Sequence, residues 1–321
     1  MLNVLVLLLF TEPMEHLKPS RLAHTYSIVA YDPESGQMGG AVQSHWFSVG
    51  SVVIWAQAGV GVVATQSFVR IDYGPLGLEA MAGGETPEAA LKRLTAADEG
   101  RAVRQLGMVD AKGNSAGYSG ENCIDYACDR QGAHFSVQAN IMLRDTVCQA
   151  MAEAYTRTKG TLAERLMAAL KAAQAEGGDL RGKQSSAIKI VSTQRPENPW
   201  EGVIMDLRVE DHPEPVTELE RLVRVHRAYQ YMSDGDVALE HQKIEQAMTL
   251  YKEAVHLLPD RMEPLFWQAV NMANLDQLEA ALPLFKKVFG NNADWRLICP
   301  RLVKVGLLPK DPKVLETILN L

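Results

Sequence analysis

From residue 25 onward, apolar and polar positions alternate in short runs rich in β-branched residues, which predicts strands rather than helices. Residues 25–31 and 37–43, joined by the turn Asp32-Pro33-Glu34-Ser35-Gly36, read as a hairpin. Runs at 51–55 and 60–65 follow as short buried strands. The period then becomes helical over 75–82 and 87–97, the second stretch opened by Thr86 as N-cap with Pro87 at the first helical position. Strands return at 105–110, 115–119 and 134–139, then helices at 145–158 and 162–175, the latter closed by Glu176-Gly177-Gly178. Strands at 186–192 and 203–209 end this part. Strands, two helices, strands, two helices, strands is the order of an α+β fold in which two sheets pack face to face with a helical pair outside each, a four-layer αββα sandwich. A doubly wound parallel sheet would alternate strand and helix singly. Ala58-Gly59-Val60-Gly61 lacks the spacing and the following helix of a dinucleotide fingerprint, so it reads as a close-packing turn.

After the Pro-rich stretch 195–200 and the charged segment 210–215 the pattern is wholly helical. Ala247, Tyr251 and Ala254 recur 34 residues later as Ala281, Phe285 and Val288, and Pro259 follows the first helix. That is the tetratricopeptide period, with small and aromatic residues where helix pairs interlock. The organisation expected is a leader or mis-assigned start over 1–23, a sandwich domain over 24–210 and an all-α, tetratricopeptide-like domain over 216–321.

Charge narrows the partners. A net charge of −7 and scattered basic residues argue against nucleic acid. Cys123, Cys128, Cys148 and Cys299 show neither a CxxC pair nor dense even spacing, and read as reduced thiols. No HxxxH, HxH or carboxylate cluster has ligand spacing, so neither metal nor cofactor is expected. The apolar run at 1–10 is too short for a membrane span, lacks a basic flank and is followed by a poor cleavage site; Met14 offers an alternative start. The expected location is cytoplasmic, with secretion the alternative if residues 1–23 act as a signal peptide.

Four ordered motifs carry a resemblance: His24-Thr25-Tyr26-Ser27-Ile28-Val29-Ala30, Gly39-Gly40-Ala41-Val42-Gln43-Ser44, Ala58 through Gln66, and Gly177-Gly178-Asp179-Leu180-Arg181-Gly182-Lys183-Gln184-Ser185. Over residues 23–191 the chain resembles the family catalogued as domain of unknown function 1028, and its C-terminal part resembles a helical extension of some members. That family is similar in fold to the N-terminal nucleophile hydrolases, which the αββα order accommodates. The resemblance implies Thr25 as the nucleophile at the start of the first strand.

That chemistry needs a free amine, because a threonine hydroxyl is a poor nucleophile and its own α-amino group, with a pKa of about 8, serves as base. In the uncut chain this nitrogen is in the peptide bond with His24. The plainer reading of Thr25 is a β-branched strand opener. Ser44 and His45 stand where the hairpin meets solvent; Ser44 reads either as a catalytic partner or as a turn serine. Gln66 and Asn140 follow strand residues, where amides bind a substrate oxyanion or satisfy loose backbone groups. Asp179, Arg181 and Gln184 lie on a glycine-rich loop that suits an anion, while Asp179 and Arg181 equally suit an ion pair. Glu164 and Arg165 read as solvated helix surface. The expectation is an amide-bond hydrolase acting on a small molecule or peptide, with Thr25 and Ser44 catalytic and His45, Gln66, Asn140, Asp179, Arg181 and Gln184 lining the site. The alternative is a non-catalytic scaffold docking a protein partner through the helical domain. Homo-oligomerisation suits either, and no membrane partner is expected.

Overall fold

A computed structural model describes residues 21–23 and 25–321. The chain divides into two compact units between Leu219 and Glu220. In the first, the described elements are β1 (Arg21–Ala23), β2 (Thr25–Asp32), β3 (Gln37–Ser44), β4 (Ile54–Gln57), β5 (Gly61–Val69), α1 (Tyr73–Ala82), α2 (Pro87–Ala96), β6 (Arg104–Asp110), β7 (Ser115–Ser119), β8 (Cys128–Gly132), β9 (Phe135–Ala139), α3 (Val147–Arg157), α4 (Leu162–Ala175), β10 (Ser185–Ser192) and β11 (Val203–Val209). All pairings between these strands are antiparallel. One sheet runs β1-β5-β6-β7 with β4 also on β5; the other runs β11-β10-β3-β2-β9-β8. The two sheets touch through β2, β3, β8, β9 and β10 against β4, β5, β6 and β7, while α1 and α2 pack on the first sheet and α3 and α4 on the second.

Local chemistry sets the helix starts. The Thr86 hydroxyl accepts from Ala89 N, and Pro87 needs no donor in the first turn. Thr161 and Glu164 close a capping box at the start of α4, so Glu164 is a cap rather than plain surface. Arg165 departs further from a solvated face: its guanidinium lies 4.2 Å over the Tyr155 ring, and the side chain is 23 % exposed.

The layer between the sheets is divided. Toward one end it is apolar, built from Val29, Val42, Ile54, Val62, Ala64 and Val109 among others. Toward the Thr25 end of β2 it is filled by buried side-chain amides and hydroxyls. Under α1 and α2 a separate core joins Val63, Leu106 and Met108 to Tyr73, Leu78 and Leu91. Gly59 sits at φ +72° with Arg195 so close that a Cβ would come within 2.6 Å of its Cα, which bears out the close-packing turn.

Further features differ from the sequence expectation, among them the strand read at 51–55, which begins only at Ile54 after a turn over Val49–Ser51. Arg21–Ala23, at the end of the expected leader, form β1 and pair with Ser67–Val69; residues 1–20 and His24 lie outside the described residues. Strand β8 escaped because Cys-Asp-Arg-Gln-Gly carries no apolar alternation, and it forms an edge with one neighbour in its sheet. Cys128 and Cys148 are not reduced thiols but a disulfide joining β8 to α3, with the Cα atoms 6.2 Å apart; Cys123 and Cys299 remain free and buried. Spacing could not reveal the pair, since the two cysteines stand 20 positions apart with a hairpin strand between them.

The second unit continues α5 (Pro215–Glu240) into α6 (Ile244–Leu257), α7 (Met262–Asn274), α8 (Leu278–Asn291), α9 (Cys299–Val305) and α10 (Pro312–Leu319). Ala247, Tyr251 and Ala254 of α6, and Ala281, Phe285 and Val288 of α8, are all 0 % exposed. Among the described residues no helix is long and apolar enough to cross a membrane.

Candidate functional site

Thr25 opens β2 with Ser44 directly opposite on β3, and Ser44 in turn faces Ser185 on β10. Residues opposed across antiparallel strands share a face, so the three hydroxyls form one row across the second sheet. All three are 0 % exposed. The Ser185 hydroxyl accepts from Val49 N at 3.0 Å and donates to the Trp46 carbonyl, fixing the loop that follows β3. Ser44 is thus a buried strand residue and not a turn serine.

Amides answer from β5 and β6 of the first sheet and from the end of β9. Gln66 Nε2 donates to the Thr25 carbonyl at 3.2 Å and to Gln105 Oε1 at 2.7 Å. Asn140 reaches the same carbonyl twice, from its backbone N at 3.1 Å and its side-chain Nδ2 at 3.4 Å, and also donates to Gln105 Oε1 at 2.8 Å. Ser27 Oγ bonds Gln66 Oε1 at 2.6 Å and Gln138 Oε1 at 3.0 Å, and Gln105 Nε2 donates to the Ala139 carbonyl at 2.9 Å. The structure brings Thr25, Ser44, Gln66 and Asn140 together, and adds Ser27, Gln105 and Gln138, which sequence reading missed. Their signal was a polar residue on the inward phase of an otherwise apolar strand. Gln66 and Asn140 hold backbone, the plainer of the two roles foreseen for them.

A second cluster adjoins the first through the Ser44–His45 link. Asp179, 4 % exposed, accepts from Arg181 Nε at 3.0 Å and Nη2 at 2.7 Å and from His45 N at 3.2 Å. The ion pair is therefore formed. It also bears on Tyr26: burial first, then the charges of Asp179 and Glu214, hold its phenol well above the usual tyrosine range. His45 and Gln184 line a small cavity of about 320 Å³ with Lys183, Asp211, His212 and Pro213. No group of three His, Cys, Asp or Glu among the described residues is arranged to hold a metal.

The loops beside these clusters carry exposed apolar residues that the sequence did not disclose. Ile124, Tyr126, Leu143 and Leu180 are 39, 50, 47 and 60 % exposed. Backbone bonds tie their loops together: Ile141 N to Ile124 O at 2.9 Å, Met142 N to Tyr126 O at 3.2 Å, Leu143 N to Gly178 O at 3.0 Å and Leu180 N to Ile141 O at 3.0 Å. Asn140, bonded to Thr25, is the residue before Ile141. Apolar side chains exposed together beside a buried polar cluster are a common setting for a small-molecule site.

Fold and site define a class first: an α+β protein of two facing antiparallel sheets, extended by a helical unit, with a polar layer beside loops that carry exposed apolar residues. The chain belongs to the family of unknown function DUF1028, whose model matches residues 25–219. It is similar to a protein of known crystal structure from Silicibacter pomeroyi, also described as DUF1028, at 32 % identity and a TM-score of 0.57, over 63 % of this chain and 88 % of that one. Among curated proteins none matches.

Proposed function

We propose that the first unit is an N-terminal nucleophile-type amidohydrolase, a four-layer αββα sandwich in which Thr25 becomes the nucleophile once the chain is cut before it. One observation carries the reading: Thr25 is the first residue of its strand, with its carbonyl held by Gln66 and Asn140 and Ser44 opposite. That clamp fixes the residue whose hydroxyl and amine would have to meet a substrate carbonyl. Cleavage proceeds as the Thr25 hydroxyl adds to the His24 carbonyl carbon. The C–N bond breaks, its nitrogen takes the proton, and water hydrolyses the resulting ester to leave a free amine on Thr25. That amine, with a pKa of about 8, then removes the hydroxyl proton as Oγ adds to a substrate amide, whose nitrogen leaves protonated; water releases the acyl group. The exposed side chains of Ile124, Tyr126, Leu143 and Leu180 support an apolar acyl group or peptide side chain as the part held outside the reacting bond.

The second unit reads as tetratricopeptide-like, supported by the two sets of fully buried small and aromatic residues 34 positions apart. The Cys128–Cys148 disulfide weighs for the secreted alternative, since such bonds persist in oxidising compartments.

N-terminal sequencing and intact mass of protein purified from its native source test the reading. The expected mature chain starts at Thr25 and releases amine from an N-acyl arylamide panel. Thr25→Ala stays uncut and loses at least about a thousandfold in rate, as deletion of a nucleophile does. A native chain that keeps its upstream residues and turns over no amide would sink the proposal.

A further inference from the structure

At the far end of β2 from Thr25, roughly 23 Å along an eight-residue strand, the first unit holds a cavity of about 880 Å³ between the β2–β3 turn, the β8–β9 hairpin and the α3–α4 connection. Nothing in the proposed hydrolase uses it. Four of its wall residues are cationic, Arg130, Arg157, Lys159 and Arg165, in a chain whose net charge is −7. Its acids are three, Asp32, Glu34 and Glu153, and two of them pair with wall cations. Glu153 pairs with Arg157 at 3.0 Å and accepts from Gln149 at 2.9 Å, while Asp32 pairs with Arg165 at 3.5 Å and accepts from Ser35 Oγ at 2.5 Å. Arg130 and Lys159 have no ion pair among the described residues, and positive charge is left over.

Arg165 is the built part of this wall. Stacking on Tyr155 at 4.2 Å holds its guanidinium in place, yet its polar contacts are long: 3.5 Å to Asp32 Oδ1 and 3.5 Å to the Tyr155 carbonyl. A planar fork positioned by an aromatic ring, with its hydrogen-bonding capacity largely unspent, is suited to bind two oxygens of one anion. Tyr155 also lines the cavity; the residue is 1 % exposed, and its buried hydroxyl has no hydrogen-bond partner among the described residues. Elsewhere in the wall Tyr31 and His134 meet edge to face at 5.5 Å and offer ring surface to an organic group.

We infer that this cavity binds a small organic phosphate, its phosphomonoester group on Arg165 with Arg130 and Lys159 around it and its organic part against the Tyr31–His134 wall. The volume suits a ligand of nucleotide size.

Calorimetric titration of the full chain with phenyl phosphate and with inorganic phosphate at low ionic strength tests the assignment. Phenyl phosphate binds with a dissociation constant on the order of 1 mM or tighter, severalfold tighter than inorganic phosphate, and weakens as salt rises. Arg165→Gln weakens it about tenfold or more. Arg130→Gln/Lys159→Gln, which changes only exposed residues and leaves folding intact, weakens it about threefold to tenfold and flattens the salt dependence. Absence of saturable binding below about 10 mM overturns the proposal, as do unchanged affinities in both variants. Equal binding of the two probes removes the organic part and overturns the assignment to an organic phosphate. Binding is measured independently of amide turnover, so loss of the Thr25 mechanism leaves this result standing.

Discussion

Individual residues around the sheets fall into two kinds. Gln66, Gln105 and Asn140 each have partners that match their donors and acceptors, and such a network stabilises because every member is satisfied. Gln43 is the opposite case. It lies one residue before Ser44, between Tyr26 and Ser186 in the ladder, is 0 % exposed, and neither end of its amide has a partner among the described residues. An unsatisfied buried amide costs about 1–3 kcal/mol. Gln43→Met, similar in length and free of that cost, is therefore expected to raise stability by about 1 kcal/mol or more in urea denaturation; a loss would mean that the amide serves a partner in solution. The motif around this residue was visible in the sequence, and the sign of its contribution was not, because satisfaction of an amide depends on what the other strands present to it.

At the scale of elements, regular hydrophobic period decided what was legible. Strands β2, β3, β6 and β10 and helices α2 and α4 carry clear alternation or caps, and the structure places them within a residue or two of the ranges read from the sequence. Strand β8 has no such signal and is held at the sheet edge by β9 on one side and by the disulfide to α3 on its own. Closing a loop of 20 residues removes chain entropy worth about 3 kcal/mol from the unfolded state. Reduction, or Cys128→Ser/Cys148→Ser, is expected to lower the unfolding free energy by about 2–4 kcal/mol, read from denaturation curves with and without reductant. No change on reduction would show that the thiols are not joined in the protein.

For the whole molecule, buried phenols tie stability to alkaline pH. Burial raises Tyr26, Tyr73 and Tyr155; in Tyr73 the hydrogen bond to Asp98 adds to it, and in Tyr155, pushed up to about 12, the Arg165 charge partly opposes it. A folded pKa above the unfolded value near 10 means that the native state holds its proton more tightly, so this contribution is complete below about pH 10 and is lost as pH rises through the folded values. Urea midpoints for unfolding of the first unit are expected to be flat in this respect between pH 8 and about 10 and to fall between about 10 and 12. Tyr155→Phe should make that fall shallower, and an identical fall would assign it to other groups.

The sequence by itself determined the α+β class, the order of most elements, the family, and the position of Thr25 at the head of a strand, since period, caps and short motifs are properties of neighbouring residues. Tertiary structure alone decided that Gln66 and Asn140 reach the carbonyl of Thr25, that Cys128 meets Cys148, and that Arg165 leaves its helix surface to lie on Tyr155. It also decided that the loops carrying exposed Ile124, Tyr126, Leu143 and Leu180 are tied together by backbone bonds. Most of these contacts join segments from different strands, helices and loops, and the residues in them are chosen by where the two sheets and their helices come to rest, information that no local pattern of apolar and polar positions carries.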